Sequence, residues 1–182
     1  VTDSASELYL GGTRIDLIVG DPLDHLYEGL YTGTNARGVM GAGLSADIRR
    51  KAGAEVEREL RTNPQLLTGQ AYLTGPGMLA EQGLKAIAHG VVVAEPGESP
   101  KLPVSIDALL DGLRLLEEAG CRTVTIPEVG WRVFNLDHTG VAAELGKTIA
   151  THLRRRSRLQ AVCIVSRHPE YLRALRPVLE RE

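Results

Sequence analysis

Two cysteines, Cys121 and Cys163, are all that this 182-residue chain carries. Neither belongs to a CxxC pair, so neither a disulfide framework nor a cysteine-based zinc site finds support, and both read as buried free thiols in a reducing compartment. The five histidines, at positions 25, 89, 138, 152 and 168, form no HxxxH pair. No metal and no cofactor are therefore expected. Charge of one sign is also scarce: with a net charge of −2 there is no broad basic surface of the kind that drives sequence-independent nucleic-acid binding. The one concentration, Arg154, Arg155, Arg156 and Arg158, falls at the end of an expected helix, where cations complement the dipole. No apolar run reaches 18 residues and no signal-peptide pattern opens the chain, which points away from a membrane and to the cytoplasm.

What is present is ordinary for a globular protein: 43% hydrophobic, 24% charged, with 20 glycines and 9 prolines that imply many tight connections. The length suits one domain over 1–182. Its centre is the segment from Gly29 to Gly53. Leu30 and Tyr31 lead into a loop with Ala36, Gly38, Gly41, Ala42 and Gly43, and Leu44, Ile48, Ala52, Val56 and Leu60 then recur every fourth position as the stripe of one helix. Small residues thus stand at a helix entrance, where unpaired N–H groups and the dipole welcome an anion without any lysine. Phosphate is the natural ligand.

Known phosphate loops compete for this spacing. A P-loop needs a lysine after its last glycine, and none follows here. Gly41, Gly43 and Ala46 do fit the dinucleotide pattern G-x-G-x-x-G/A, which gives a nucleotide-dependent oxidoreductase as an alternative. That fold requires a carboxylate about 20 residues on, at the end of the next strand. The next strand, ending at Thr74-Gly75-Pro76, offers none.

Residues 7–20 read as a hairpin broken at Gly11-Gly12, and Pro22 opens a short helix for which Asp21 is a cap. Ala71–Thr74 and Ala86–Val93 read as strands, the second buried, with His89 a packed core histidine. Ser105 is the expected cap of a helix through Ala119, stopped by Gly120. A strand to Ile126, a helix capped by Asp137, a strand over Leu159–Val165 and a helix from Pro169, bent or ended by Pro177, complete the alternation.

Four stretches, in order, resemble the macrodomain family. Gly20-Asp21 after a strand resembles its Gly-Asp-Ile-Thr signature. Thr32-Gly33-Thr34-Asn35 with Gly38–Gly43 is similar to its first binding loop, and Ile87-Ala88-His89-Gly90 to its Ile-His strand. Pro127, Gly130, Val133 and Phe134 match its second loop, in which Trp131 and Arg132 replace a small Thr-Gly pair. The resemblance spans residues 13–180 and implies a three-layer α/β/α fold with a central mixed, mostly parallel sheet. It further implies recognition of ADP-ribose, free or on a modified protein or nucleic acid. Asp21 would take adenine and Asn35 the distal ribose. Gly41, Ala42, Gly43 and Leu44, facing Gly130, Trp131, Arg132, Val133 and Phe134, would clasp the diphosphate. Trp131 and Arg132 suit a cover for an adenine or ribose face and a phosphate partner, or else outward packing. If they block the cleft, a ligand-free interaction module results.

Hydrolytic members of one branch carry aspartate after the glycine tract, where this chain has Gly43-Leu44-Ser45-Ala46. Another branch uses a strand lysine, and the stretch from His89 to Glu95 has none. Asn35 and Ser45 are the remaining catalytic candidates, for an ADP-ribosyl hydrolase with non-standard residues. A serine without a base does not ionise at neutral pH, so binding, with slow hydrolysis by a phosphate-held water, is the first expectation.

Overall fold

The structure, a computed structural model, describes residues 8–129, 138–155 and 157–182. Seven strands form one sheet in the order β1-β2-β7-β6-β3-β5-β4. They are β1 (Leu8–Leu10), β2 (Thr13–Val19), β3 (Gly29–Asn35), β4 (Ala71–Thr74), β5 (Ala86–Val93), β6 (Thr123–Pro127) and β7 (Ala161–Ser166). From β2 across to β5 every neighbour is parallel, and only the outer pairs β1–β2 and β4–β5 are antiparallel. This is the mixed, mostly parallel sheet expected. All of β7 is buried, as its unbroken apolar run requires of a parallel strand covered on both faces.

The helices are α1 (Gly43–Ala52), α2 (Ala54–Leu60), α3 (Leu102–Glu118), α4 (His138–Arg154) and α5 (Pro169–Arg181). Leu109, Leu113 and Leu116 of α3, Val141, Leu145 and Ile149 of α4, and Tyr171, Leu172 and Leu175 of α5 share one core with Ile15, Tyr31, Val124 and Ile164 of the sheet. On the other face Ile48, Ala52 and Val56 meet Leu30, Met40 and Ile87. Helices thus flank the sheet in three layers, as expected.

Three local readings change. The stripe Ile48, Ala52, Val56, Leu60 is buried throughout, yet it belongs to two helices and not one. Gly53, at φ +99°, breaks the chain between them, a geometry that only glycine adopts without strain. Ser105 does not cap α3. The helix starts at Leu102, because Pro103 fits its first turn, and Ser105 lies buried inside it. Nor does Pro177 end α5, which runs on to Arg181. Gly146 of α4 admits Val178 closely, so that Val178 and Leu179 are buried, and that packing carries the helix past its missing N–H. Asp137, the expected cap of α4, lies outside the described residues.

His89 is fully buried, 2.9 Å from the Thr74 hydroxyl, as a core histidine should be. Burial pushes its pKa from 6.5 down to about 3. A depressed value means that the fold holds the neutral ring while the unfolded chain takes up a proton below pH 6.5. The contribution of His89 is therefore complete above 6.5 and declines as pH falls toward 3. Chemical unfolding should show the protein losing about 2 kcal/mol between about pH 6.5 and 5 from this group. In His89→Gln that segment of the pH profile should flatten.

Candidate functional site

The loops that follow β3, β5 and β6 leave the sheet at the carboxyl ends of neighbouring parallel strands, where ligands of such sheets collect. Between them lies a cleft of about 500 Å³. Tyr31–Asn35 form its floor. Gly41, Ala42, Leu44 and Ser45 stand on one wall, Pro127, Glu128 and Val129 on another, and Pro96, Gly97, Pro100 and Ser105 close the far end. A smaller recess of about 190 Å³ shares Leu44, Pro127 and Glu128 with it and continues to Pro22, Ser166, Arg167 and His168.

The glycine tract is braced by side chains. Asn35 accepts the N–H groups of Arg37 (3.1 Å) and Val39 (3.2 Å) on Oδ1 and donates from Nδ2 to the Val39 carbonyl (2.9 Å). Glu57 of α2 takes the Met40 N–H at 2.7 Å and pairs with Arg49 at 3.2 Å. Beside the tract, Arg37 meets Glu95 of the loop after β5 at 2.8 Å. The tract then enters α1 through Ala42, an extended N-cap residue whose side chain makes no capping bond, and no acid stands in the first turn. The leading amides of α1 therefore open on the cleft without an acceptor among the described residues, an arrangement that suits an anion. No lysine or arginine lines this cleft among the described residues.

Among the expected site residues, Asn35, Gly41, Ala42, Leu44 and Ser45 line the cleft, and Gly43, at φ +56°, sits between two of them as the first residue of α1. Asp21 lies beside the recess. Its Oδ1 accepts the Leu23 N–H at 2.9 Å, capping the turn Pro22–Asp24, and its Oδ2 meets Arg167 at 2.5 Å. Partial desolvation alone would raise its pKa, but the Leu23 amide and the Arg167 guanidinium hold the carboxyl below its usual range. Gly130, Trp131, Arg132, Val133 and Phe134 lie outside the described residues. The stretch leading to them, Pro127–Val129, shares the cleft with the glycine tract, and the Tyr171 phenol, in a hydrogen bond with the Val129 backbone, holds its end.

Ser45 donates to the Gly33 carbonyl at 3.0 Å, so its hydroxyl braces α1 against β3 and meets no base. Glu128 and Arg167 carry no site signal in the sequence, and Ser105 reads there only as a helix cap. Arg167 is read only through its partners, which are distant in sequence. Glu128 is hydrogen-bonded by the Ser166 hydroxyl. The dinucleotide reading fails on topology as well, since β4 runs antiparallel to β5 at the sheet edge instead of continuing a parallel βαβ unit. Among the described residues no group of three or more His, Cys, Asp or Glu could hold a metal ion, and no helix is long and apolar enough to cross a membrane.

A family model described as Macro domain matches residues 32–145. In structure the chain is similar to a variant of the Oceanobacillus iheyensis macrodomain solved with ADPR (TM-score 0.79, 18% identity, 96% of each chain covered). It is also similar to the Trypanosoma brucei macrodomain in complex with ADP-ribose (TM-score 0.74, 21% identity, 90% of this chain and 68% of that one). In sequence it is 26% identical over 166 residues to an uncharacterized protein of Aeropyrum pernix, covering 91% of this chain and 85% of the relative. It is 23% identical over 175 residues to an Escherichia fergusonii protein named O-acetyl-ADP-ribose deacetylase, covering 93% and 97%.

The three bonds of the Asn35 amide make a direct test of the brace. Asn35→Ala should lower stability by about 1–3 kcal/mol. Thermal denaturation checks it, and an unchanged melting temperature would mean that the tract holds its shape by other contacts.

Proposed function

The chain belongs to the Macro domain family, and on that premise we propose that its cleft binds ADP-ribose, free or attached to a macromolecule. The observation that carries this reading is the uncapped start of α1, whose amides face a cleft at the carboxyl ends of parallel strands. A diphosphate is the part of ADP-ribose that such amides take. Asp21, held ionised beside the recess, suits an amine-bearing base, and the floor near Asn35 suits the distal ribose. Gly130, Trp131, Arg132, Val133 and Phe134 are proposed as the facing half of the diphosphate clasp. The two similar structures solved with ADPR and ADP-ribose support the same ligand.

A second reading, hydrolysis of an ester on ADP-ribose, is favoured by the likeness to the protein named O-acetyl-ADP-ribose deacetylase. The described residues offer Ser45 without a base, so any cleavage would rest on water oriented by the bound diphosphate. Acetate release from O-acetyl-ADP-ribose, followed with and without the protein, should be slow compared with binding. Equal release in both would remove this second reading.

Binding and stability separate in one substitution. Ala42→Asp supplies the side-chain cap that α1 lacks and should raise stability by about 1 kcal/mol. The same carboxylate occupies the amides and opposes the diphosphate, so calorimetry should show ADP-ribose affinity falling by at least about tenfold, as charge-assisted bonds of this kind are worth. Absence of heat and of thermal shift with saturating ADP-ribose on the unmodified protein would overturn the proposal itself.

A further inference from the structure

We propose that Arg167 is a base-reading residue: paired with Asp21, it donates a hydrogen bond to a ring nitrogen of the nucleobase while the carboxylate accepts the adjacent amine. The inference rests on ADP-ribose binding as proposed above and adds a residue and a selectivity to it.

Adenine presents an amine donor flanked by ring-nitrogen acceptors, so its complement is an acceptor beside a donor. Asp21 supplies the acceptor, and each of its oxygens has a lone pair to spare beyond its present bond. The donor is less obvious, because the main-chain N–H groups that follow Asp21 are missing or already spent. Pro22 has no N–H. The Leu23 N–H is spent on Asp21 Oδ1, the Asp24 N–H on the Asp21 carbonyl at 3.0 Å, and the His25 N–H on the Pro22 carbonyl at 3.2 Å. On the other side of the pair, the Gly20 N–H is spent on the Ser166 carbonyl at 2.9 Å.

Arg167 offers a side-chain donor beside Asp21. It follows β7, lines the recess, and reaches back to Asp21 at 2.5 Å and to Asp47 of α1 at 3.5 Å. Both contacts use Nη2. The guanidinium carries five N–H donors, and Nε–H and Nη1–H have no partner among the described residues. The two carboxylates, on separate elements, hold Nη2 beside the recess. With its side chain 55% exposed, the pair adds little to stability, so its removal should leave the fold intact and change recognition.

The test uses the full chain, its Arg167→Ala and Arg167→Lys variants, and three ligands: ADP-ribose and its analogues with carbon in place of N1 or N7 of adenine. Melting temperatures of the three proteins should agree closely. The unmodified protein should bind one of the two deaza analogues about tenfold or more weakly than ADP-ribose, the magnitude of one charge-assisted hydrogen bond. Arg167→Ala should bind ADP-ribose about tenfold more weakly and show no penalty for either analogue, as a double-mutant cycle requires of a direct contact. If Arg167→Ala weakens all three ligands equally and Arg167→Lys restores them, the residue acts only as a charge and the proposal is overturned. It is overturned likewise if the penalty for an analogue persists in Arg167→Ala. Failure of the unmodified protein to bind ADP-ribose would overturn the binding reading instead, and this inference with it.

Discussion

The depth of the cleft depends on one ring packed where two side chains are missing. The Tyr31 ring, on β3, occupies the space that a side chain would need at Gly90 of β5 and at Gly112 of α3. A Cβ at Gly112 would come within 2.7 Å of the ring. Glycine at both positions lets α3 lie close on the sheet, and interiors packed at crystal density give a helix no second resting distance. With α3 held this near, Ser105 in its first turns lines the cleft, beside Pro100 just ahead of the helix. A methyl group at Gly112 would move the helix or the ring, and either shift would reach the floor of the site through Tyr31 itself.

Around that frame, side chains brace and the main chain is left to bind. Asn35, Glu57 and Ser45 spend their polar atoms on Arg37, Val39, Met40 and Gly33, which shape the tract after β3. The amides at the start of α1 receive nothing in return from the described residues. A helix end without a cap forgoes about 0.5–2 kcal/mol. The protein could recover that with aspartate or serine at position 42, and carries alanine. A vacancy of this kind is compatible with a site whose occupant arrives from solution and brings its own negative charge.

The sheet, its largely parallel order and the inward stripes of the helices were legible in the sequence, because periodicity reports burial and burial is what the layers share. The breaks in the pattern were less so. Ile48, Ala52, Val56 and Leu60 keep their spacing across Gly53, so apolar period alone joins two helices that the backbone separates. Pro177 reads as a stop until Gly146, over thirty residues earlier, is found to admit Val178. In the site, the glycine tract announced itself through composition, since close backbone approach demands small residues. Glu57, Glu128 and Arg167 carry no local signature. Each acts on a partner that the fold alone brings near, as Arg167 does on Asp21, 146 residues away.

If the cleft takes ADP-ribose as proposed, charge across it would also give the ligand its direction. The positive end of α1 forms one wall, and Glu128, turned toward Ser166, stands at the junction of cleft and recess. A diphosphate midway between them would be drawn to α1 and repelled by Glu128, and so would settle along Ala42–Ser45. From there the ligand's base end would extend past Leu44, which lines both cavities, toward Asp21 and Arg167, an acceptor and a donor side by side. A ribose has hydroxyls for such a pair but no flat edge with both functions side by side. A base has. The other end would then lie over the Asn35 floor, in the larger of the two cavities, where a ribose that carries an attached group would find the space it needs.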